Sequence, residues 1–354
     1  MKIVADPDPP RILVIRRRYL GDVVLLGSFL RNLRLHWPGA RICVAVDQAY
    51  AGALALNPDV DAALVLPWHW AQWPRFLRQL RRGGWSHVFN FDNTERTALI
   101  TRLTGAPFRL GLHHGGYPLK LRRAYTCAVN DPNDRHESHP ITEYYLRALP
   151  AAGVPVASRE VRLVPREADL TEMRRWAGAG GTVLLVHPGS RSPMRIWPAE
   201  RFAAVCDRAQ DELGAQVVIT GGPGDRALVE AVRGRARSHL LTLPKPPSLT
   251  EFAALARLSS AVLCHDSGPM HVAAAVGTPV VALYGSQSSV LFRPAGEGHI
   301  LLQPPLPCGA ACVSPAECRP PDSYRTHCVR RLSSDEVFLA VRTQLARAGA
   351  RNSD

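Results

Sequence analysis

AVLCHDSGPMHVAAAVGTPVVALYG, residues 261–285, decides the fold. Its two strand-like runs, AVLCH and VVALYG, flank a small-residue helical segment from about 269 to 276. A strand, a helix and a second strand in this order make a crossover unit with parallel strands. The polar turn Asp266-Ser267-Gly268 falls where the first strand gives way to the helix.

The alternation continues on the N-terminal side. VLLVHP (183–188), a helix over 198–213, QVVITGG (216–222), a helix near 224–236, LLTL (240–243) and the helix SLTEFAALARL (248–258) precede it. An earlier set begins with the strand RILVIR (11–16) and a helix over 23–37, then RICVAV (41–46) and ALVL (63–66). A helix over 70–82, HVFNF (87–91) and a helix over 94–105 complete it. A helical TEYYLRAL (142–149) leads into a Pro-, Ala- and Arg-rich passage over 148–168, which contains the strand-like VRLV (161–164). Ser-x-x-Glu capping boxes at Ser248/Glu251 and Ser333/Glu336 mark two helix starts. The expectation is α/β: two Rossmann-like, doubly wound domains, 1–165 and 166–332, facing a central cleft, with a C-terminal helix and tail over 333–354.

The length of 354 residues suits about two domains. With 46% apolar residues and mean hydropathy −0.08, disorder and collagen-like structure are excluded. No apolar run reaches the roughly 18 residues of a spanning helix, and the opening MKIVADPDPP has no apolar signal core. A cytoplasmic location is therefore expected. Net charge is +13, of which +9 falls in residues 1–165, and only Lys2, Lys120 and Lys245 are lysines. An arginine-rich, basic chain favours phosphate- or carboxylate-bearing partners. No recognisable nucleic-acid module accompanies the charge.

Open parallel sheets bind ligands beyond the carboxyl ends of their strands, and four such turns carry polar residues. After the first strand comes RRRYLGD (16–22). There Asp22 reads either as a helix N-cap or as a general base kept ionised by Arg16, Arg17 and Arg18. GSRSPMR (189–195) combines small-residue amides with Arg191 and Arg195, a phosphate cradle in form. TGGPGD (220–225) lacks the dinucleotide Gly spacing; Gly222 allows close backbone approach, and Asp225 reads as a cap or as a partner of base or ribose. At 266–271, Ser267 and Gly268 offer amides at a helix start, with Asp266 and His271 beside them.

ILVIRRRYLGDVVLLGSFLRNLR (12–34), HPGSRSPMRIWPAERFAAV (187–205), TGGPGD (220–225) and HDSGPMHVAAAVGTPVVALYG (265–285) together resemble glycosyltransferase family 9, the heptosyltransferases of lipopolysaccharide core synthesis. The resemblance implies the GT-B fold and an inverting reaction. It implies an ADP-sugar donor, typically ADP-L-glycero-β-D-manno-heptose, bound mainly by the C-terminal domain. The acceptor it implies is an inner-core sugar on lipid A. It makes Asp22 the general base. Ser190 and Arg195 become the donor-phosphate loop, Arg195 standing where a lysine is common. Asp266, Ser267, Gly268 and His271 become the signature that holds diphosphate and sugar, with Gly222 and Asp225 near the nucleotide. No cofactor is expected, since no paired carboxylates for a divalent metal are evident and the nucleotide sugar is a substrate. Other nucleotide sugars, other acceptors, or a non-catalytic sugar-nucleotide-binding protein remain alternatives.

The N-terminal charge excess suits an anionic lipopolysaccharide precursor and peripheral contact with the inner face of the inner membrane. Candidate acceptor-side residues are Arg17 and Arg18, together with Arg96, Arg122, Arg123, His113 and His114, placed in loops or helix starts. Cys43, Cys127, Cys206 and Cys264 read as reduced core residues. Cys308, Cys312, Cys318 and Cys328 are spaced unlike common zinc sites, leaving metal, disulfide and free thiols all open.

Overall fold

The computed structural model describes residues 9–115, 117–132, 139–177, 181–304 and 327–351. It divides into two compact units, Met1–Arg162 and Leu163–Asp354. Each is built on one six-stranded, all-parallel sheet.

In the first unit the strands are β1 (Arg11–Ile15), β2 (Arg41–Val46), β3 (Ala62–Val65), β4 (His87–Asn90), β5 (Phe108–His114) and β6 (Cys127–Asp131), in the order β3-β2-β1-β4-β5-β6. In the second they are β7 (Val183–His187), β8 (Gln216–Ile219), β9 (Leu241–Thr242), β10 (Ala261–His265), β11 (Val280–Leu283) and β12 (Ile300–Leu302), in the order β12-β11-β10-β7-β8-β9. Both orders reverse once, at β1/β4 and at β7/β10. Those reversals are the topological switch points at which doubly wound sheets leave a ligand crevice.

The central strands are apolar almost throughout because helices cover both faces. Ile12, Leu13, Val14 and Ile15 of β1 are fully buried, as are Leu184, Leu185 and Val186 of β7. In the first unit Phe29 packs edge-on against Phe89 and Phe91 at 5.0 and 4.9 Å, and Phe91 meets Tyr145 at 5.2 Å. In the second, Trp197 and Phe202 pack on the sheet with Val337, Phe338 and Val341 of the last helix, Ser334–Arg351. Both capping boxes form: Glu251 and Glu336 accept from the Ser248 and Ser333 N–H groups, and their own N–H groups donate to the serine hydroxyls. Among the described residues no helix is long and apolar enough to cross a membrane.

Several sequence expectations are corrected. The helix expected over 23–37 is two, Leu20–Leu25 and Gly27–His36. VRLV forms no strand; its Leu163 N–H donates to Ala275 O at 2.8 Å. Strands β5, β6 and β12 and the helix Glu167–Ala177 were not expected. His113 and His114 lie in β5 rather than in a loop. Cys43, Cys206 and Cys264 are buried free thiols, while Cys127 is half-buried. Cys308, Cys312 and Cys318 lie outside the described residues, and Cys328 is a half-buried free thiol.

Trp197 links the segment leading into the last helix to the sheet. Its indole N–H donates to Leu332 O at 2.9 Å and its backbone N–H to His265 Nε2 at 2.9 Å. Trp197→Ala should therefore destabilise the second unit by about 3–5 kcal/mol in denaturant unfolding; a loss below about 1 kcal/mol would contradict this packing role.

Candidate functional site

The first switch point is organised by Arg16. At the end of β1 its Nη2 reaches Asp22 Oδ1 at 2.6 Å, and its Nη1 reaches Asp92 Oδ1 and Phe91 O, both at 3.1 Å. Asp92 Oδ2 accepts the Arg17 N–H at 2.9 Å, tying the β1 turn to the β4 turn. Burial alone would lower the Arg16 pKa, but Tyr145, Asp22 and Asp92 outweigh it and the net shift is upward. Burial raises Asp92, with Arg16 as the main opposing influence.

Asp22 is not the N-cap. The helix begins at Leu20 with Tyr19 as N-cap, which puts Asp22 one turn in, where its Oδ2 accepts the Tyr19 N–H at 3.1 Å. Its other oxygen takes the Arg16 contact and the Tyr145 hydroxyl at 3.1 Å. Burial pushes the Tyr145 phenol well up, so it stays a neutral donor. The carboxylate is thus held by three groups, two from its own turn and one from Tyr145, and its side chain is 14% exposed.

Of the three arginines expected around Asp22, only Arg16 contacts it. Arg17 pairs with Asp47 through two guanidinium nitrogens at 3.3 Å each. Arg18 is exposed and lies 5.6 Å from the Tyr19 ring centroid. Arg96, in the first turn of the helix Glu95–Leu103, donates to Pro67 O and sits 5.3 Å from the Trp73 ring. Burial, chiefly, lowers its pKa. The buried Nδ1 of His113 has no hydrogen-bond partner among the described residues. Arg122 and Arg123 sit in a 3-10 turn, Arg122–Ala124.

At the second switch point, Ser190 and Arg195 leave β7 in the loop before the helix Ala199–Leu213. Arg195 Nη1 lies 3.5 Å from Asp266 Oδ2, joining the β7 and β10 turns. Asp266 is 6% exposed, and burial, partly opposed by Arg195, raises its pKa to about 6. Ser267 is the N-cap of the helix Gly268–Ala275; its hydroxyl donates to His265 O rather than capping the helix. Pro269 has no N–H, and Met270 N–H closes the first turn onto Ser267 O. His271 is buried in that turn. Burial holds neighbouring His265 down to about 3, consistent with its Nε2 accepting from Trp197.

Asp225 ties the β7 and β8 turns together. It is the N-cap of Arg226–Arg233, yet its carboxylate turns back to accept the Gly222 N–H at 2.8 Å. It lies so close over Gly189 that a Cβ there would stand 2.1 Å from Oδ2. Any side chain there would have to displace the Asp225 carboxylate. His187 Nε2 is 3.9 Å from the same oxygen, and burial lowers the His187 pKa.

The structure thus gathers Asp22, Arg16, Asp92 and Tyr145 at one switch point, and Ser190, Arg195, Asp225, Asp266 and Ser267 at the other. Among the described residues no three metal-ligating His, Cys, Asp or Glu side chains converge.

Residues 73–317 match the family model described as Glycosyltransferase family 9 (heptosyltransferase). The chain belongs to this family. It is a glycosyltransferase with the GT-B fold. A relative, lipopolysaccharide heptosyltransferase 3 of Escherichia coli K12, is 27% identical over 297 residues, covering 80% of this chain and 85% of that protein. The solved glycosyl transferase family 9 protein of Veillonella parvula matches with TM-score 0.81 at 24% identity, covering 98% of this chain and 99% of that one. The structure of E. coli ADP-heptose lps heptosyltransferase II matches with TM-score 0.76 at 21% identity, over 95% and 99% of the two chains.

The Asp266 carboxyl ionises more readily in the unfolded chain than in the fold, so folding stability should fall as pH rises from about 4 to about 6. The loss should approach about 3 kcal/mol and level off above that window. Asp266→Asn should remove this slope. Unfolding curves at a series of pH values compare the two proteins, and parallel curves would contradict the assignment.

Proposed function

We propose that this protein is an inverting heptosyltransferase that transfers heptose from ADP-L-glycero-β-D-manno-heptose to an inner-core lipopolysaccharide acceptor, a lipid A-linked Kdo or heptose. The observation that carries the reading is the Asp22 carboxylate, fixed by Arg16, Tyr145 and the Tyr19 N–H at the first sheet's switch point. The similarity to lipopolysaccharide heptosyltransferases supports the heptose and lipopolysaccharide parts.

In this reaction an acceptor hydroxyl attacks the anomeric carbon from the face opposite the diphosphate. The glycosidic C–O bond to phosphate breaks, ADP departs with the electron pair, and the hydroxyl proton passes to Asp22. Configuration at the anomeric carbon inverts. A positioned base contributes about 10²- to 10⁴-fold. The three contacts on Asp22 remove the search for a productive rotamer.

The donor lies along the second unit's turns. Arg195 and the amides of Ser267 and Gly268 face the diphosphate, with Ser190 beside them and His271 and Asp266 toward the sugar. Gly222 and Asp225 shape the nucleotide end. Fixed donors at developing negative charge are worth about 3 kcal/mol each, which is the work Arg195 and the helix start perform as ADP leaves. Arg17, Arg18, Arg96 and His113 supply the acceptor side, whose anionic sugars and phosphates match the positive N-terminal half. The enzyme works at the cytoplasmic face of the inner membrane as a peripheral protein.

Asp22→Asn should lower kcat by about 10²-fold or more while ADP affinity in titration calorimetry stays unchanged; wild-type kcat in the variant would remove Asp22 from the mechanism. Arg195→Ala should weaken ADP binding by about tenfold, a loss of ~1.4 kcal/mol. Undiminished binding would remove Arg195 from the donor site.

A further inference from the structure

Between Asp61 and Asp92 the chain has no acidic residue and four arginines, Arg75, Arg78, Arg81 and Arg82. All four are exposed on one helix, Trp73–Arg82, whose Phe76 and Leu80 are buried against the first sheet. Just before this helix stand the two most exposed large apolar side chains among the described residues, Trp68 at 81% and Trp70 at 85%.

Their exposure is built in. Gln72 Oε1 accepts the Trp68 and His69 N–H groups at 2.8 and 3.2 Å, and the Arg96 guanidinium donates to Pro67 O while lying over the Trp73 ring. The turn is therefore fixed, and both indoles stand uncovered among the described residues. An indole joins a large apolar body to one N–H donor, a combination favoured where apolar and aqueous phases meet. Guanidinium groups complement phosphate.

We propose that Trp68, Trp70 and the arginine face of the helix Trp73–Arg82 dock the protein on a bilayer rich in anionic phospholipids, the indoles entering the headgroup region and the arginines resting on lipid phosphates. The inference deepens the peripheral-membrane part of the proposed function and rests on it for its purpose, though not for its chemistry. A single soluble anion is bound by groups that converge. Here the charges are instead spread along the helix from Arg75 to Arg82, about 10 Å, which matches an extended charged surface. Such attachment is screened by salt.

The test is co-sedimentation of the full chain with vesicles of phosphatidylglycerol and phosphatidylcholine, compared with phosphatidylcholine alone. The wild type should bind the anionic vesicles only, and less so as salt rises. Trp68→Ser with Trp70→Ser, and separately Arg78→Glu with Arg82→Glu, should each lower partitioning by about tenfold or more. Both double variants should keep the wild-type thermal midpoint, because the altered side chains are exposed, and the wild-type rate on a water-soluble acceptor fragment. Equal binding to neutral vesicles, or double variants that bind like the wild type, would overturn the proposal. So would a tryptophan variant that keeps vesicle binding but loses turnover on the soluble acceptor, since the indoles would then be meeting sugar. Absence of transfer by the wild type would count against the heptosyltransferase reading and leave the vesicle result standing.

Discussion

One guanidinium sets the chemistry of the first unit. Arg16 leaves the end of the central strand and divides its donors between two carboxylates, Asp22 on the following helix and Asp92 beyond β4. None of the three groups is well hydrated, so each depends on the others. Removing one partner from such a cluster leaves an uncompensated buried charge, at a cost of about 3–5 kcal/mol. The same contacts that hold the fold at this point also aim Asp22. In the proposed function, stability and catalytic geometry are therefore one constraint here.

The second unit repeats the logic with different residues. Arg195 and Asp266 join the β7 and β10 turns across the switch point, and Asp225 joins the β7 and β8 turns by lying on Gly189. Burial raises the Asp266 carboxyl to about 6 even with the Arg195 cation beside it opposing the shift. Ser267 and Gly268 add the positive end of a helix, about half a charge, without any lysine. In both units, parallel-sheet topology decides where these groups can stand.

Much of this was legible in the sequence because the central strands are continuous apolar runs and their exits are marked by Gly, Ser and Asp. The turn after β10 and both capping boxes read directly from residue type and spacing. Other features did not, for physical reasons. Strand β5, Phe108–His114, mixes arginine, glycine and two histidines, and β12 has three residues, so neither shows a β-branched run. VRLV looks like a strand but finds no neighbouring strand to pair with. Which of Arg16, Arg17 and Arg18 meets Asp22 depends on how the strand exit twists, which no spacing rule supplies. Asp92 and Tyr145 are 70 and 123 residues from Asp22 in sequence and join it only through the fold. The signal available for Asp92 was its position just beyond a buried strand end.

The claim at the centre is that the planar fork of Arg16, and not merely its charge, holds Asp22 for proton abstraction. Arg16→Lys keeps the charge but loses the fork. The decisive measurement is kcat for heptosyl transfer in this variant, with circular dichroism confirming the fold and ADP affinity confirming the donor site. The expected result is a fall in kcat of about 10²-fold, the scale on which small misplacement of a reacting group acts, with ADP affinity unchanged. A folded Arg16→Lys protein that turns over at the wild-type rate would contradict it.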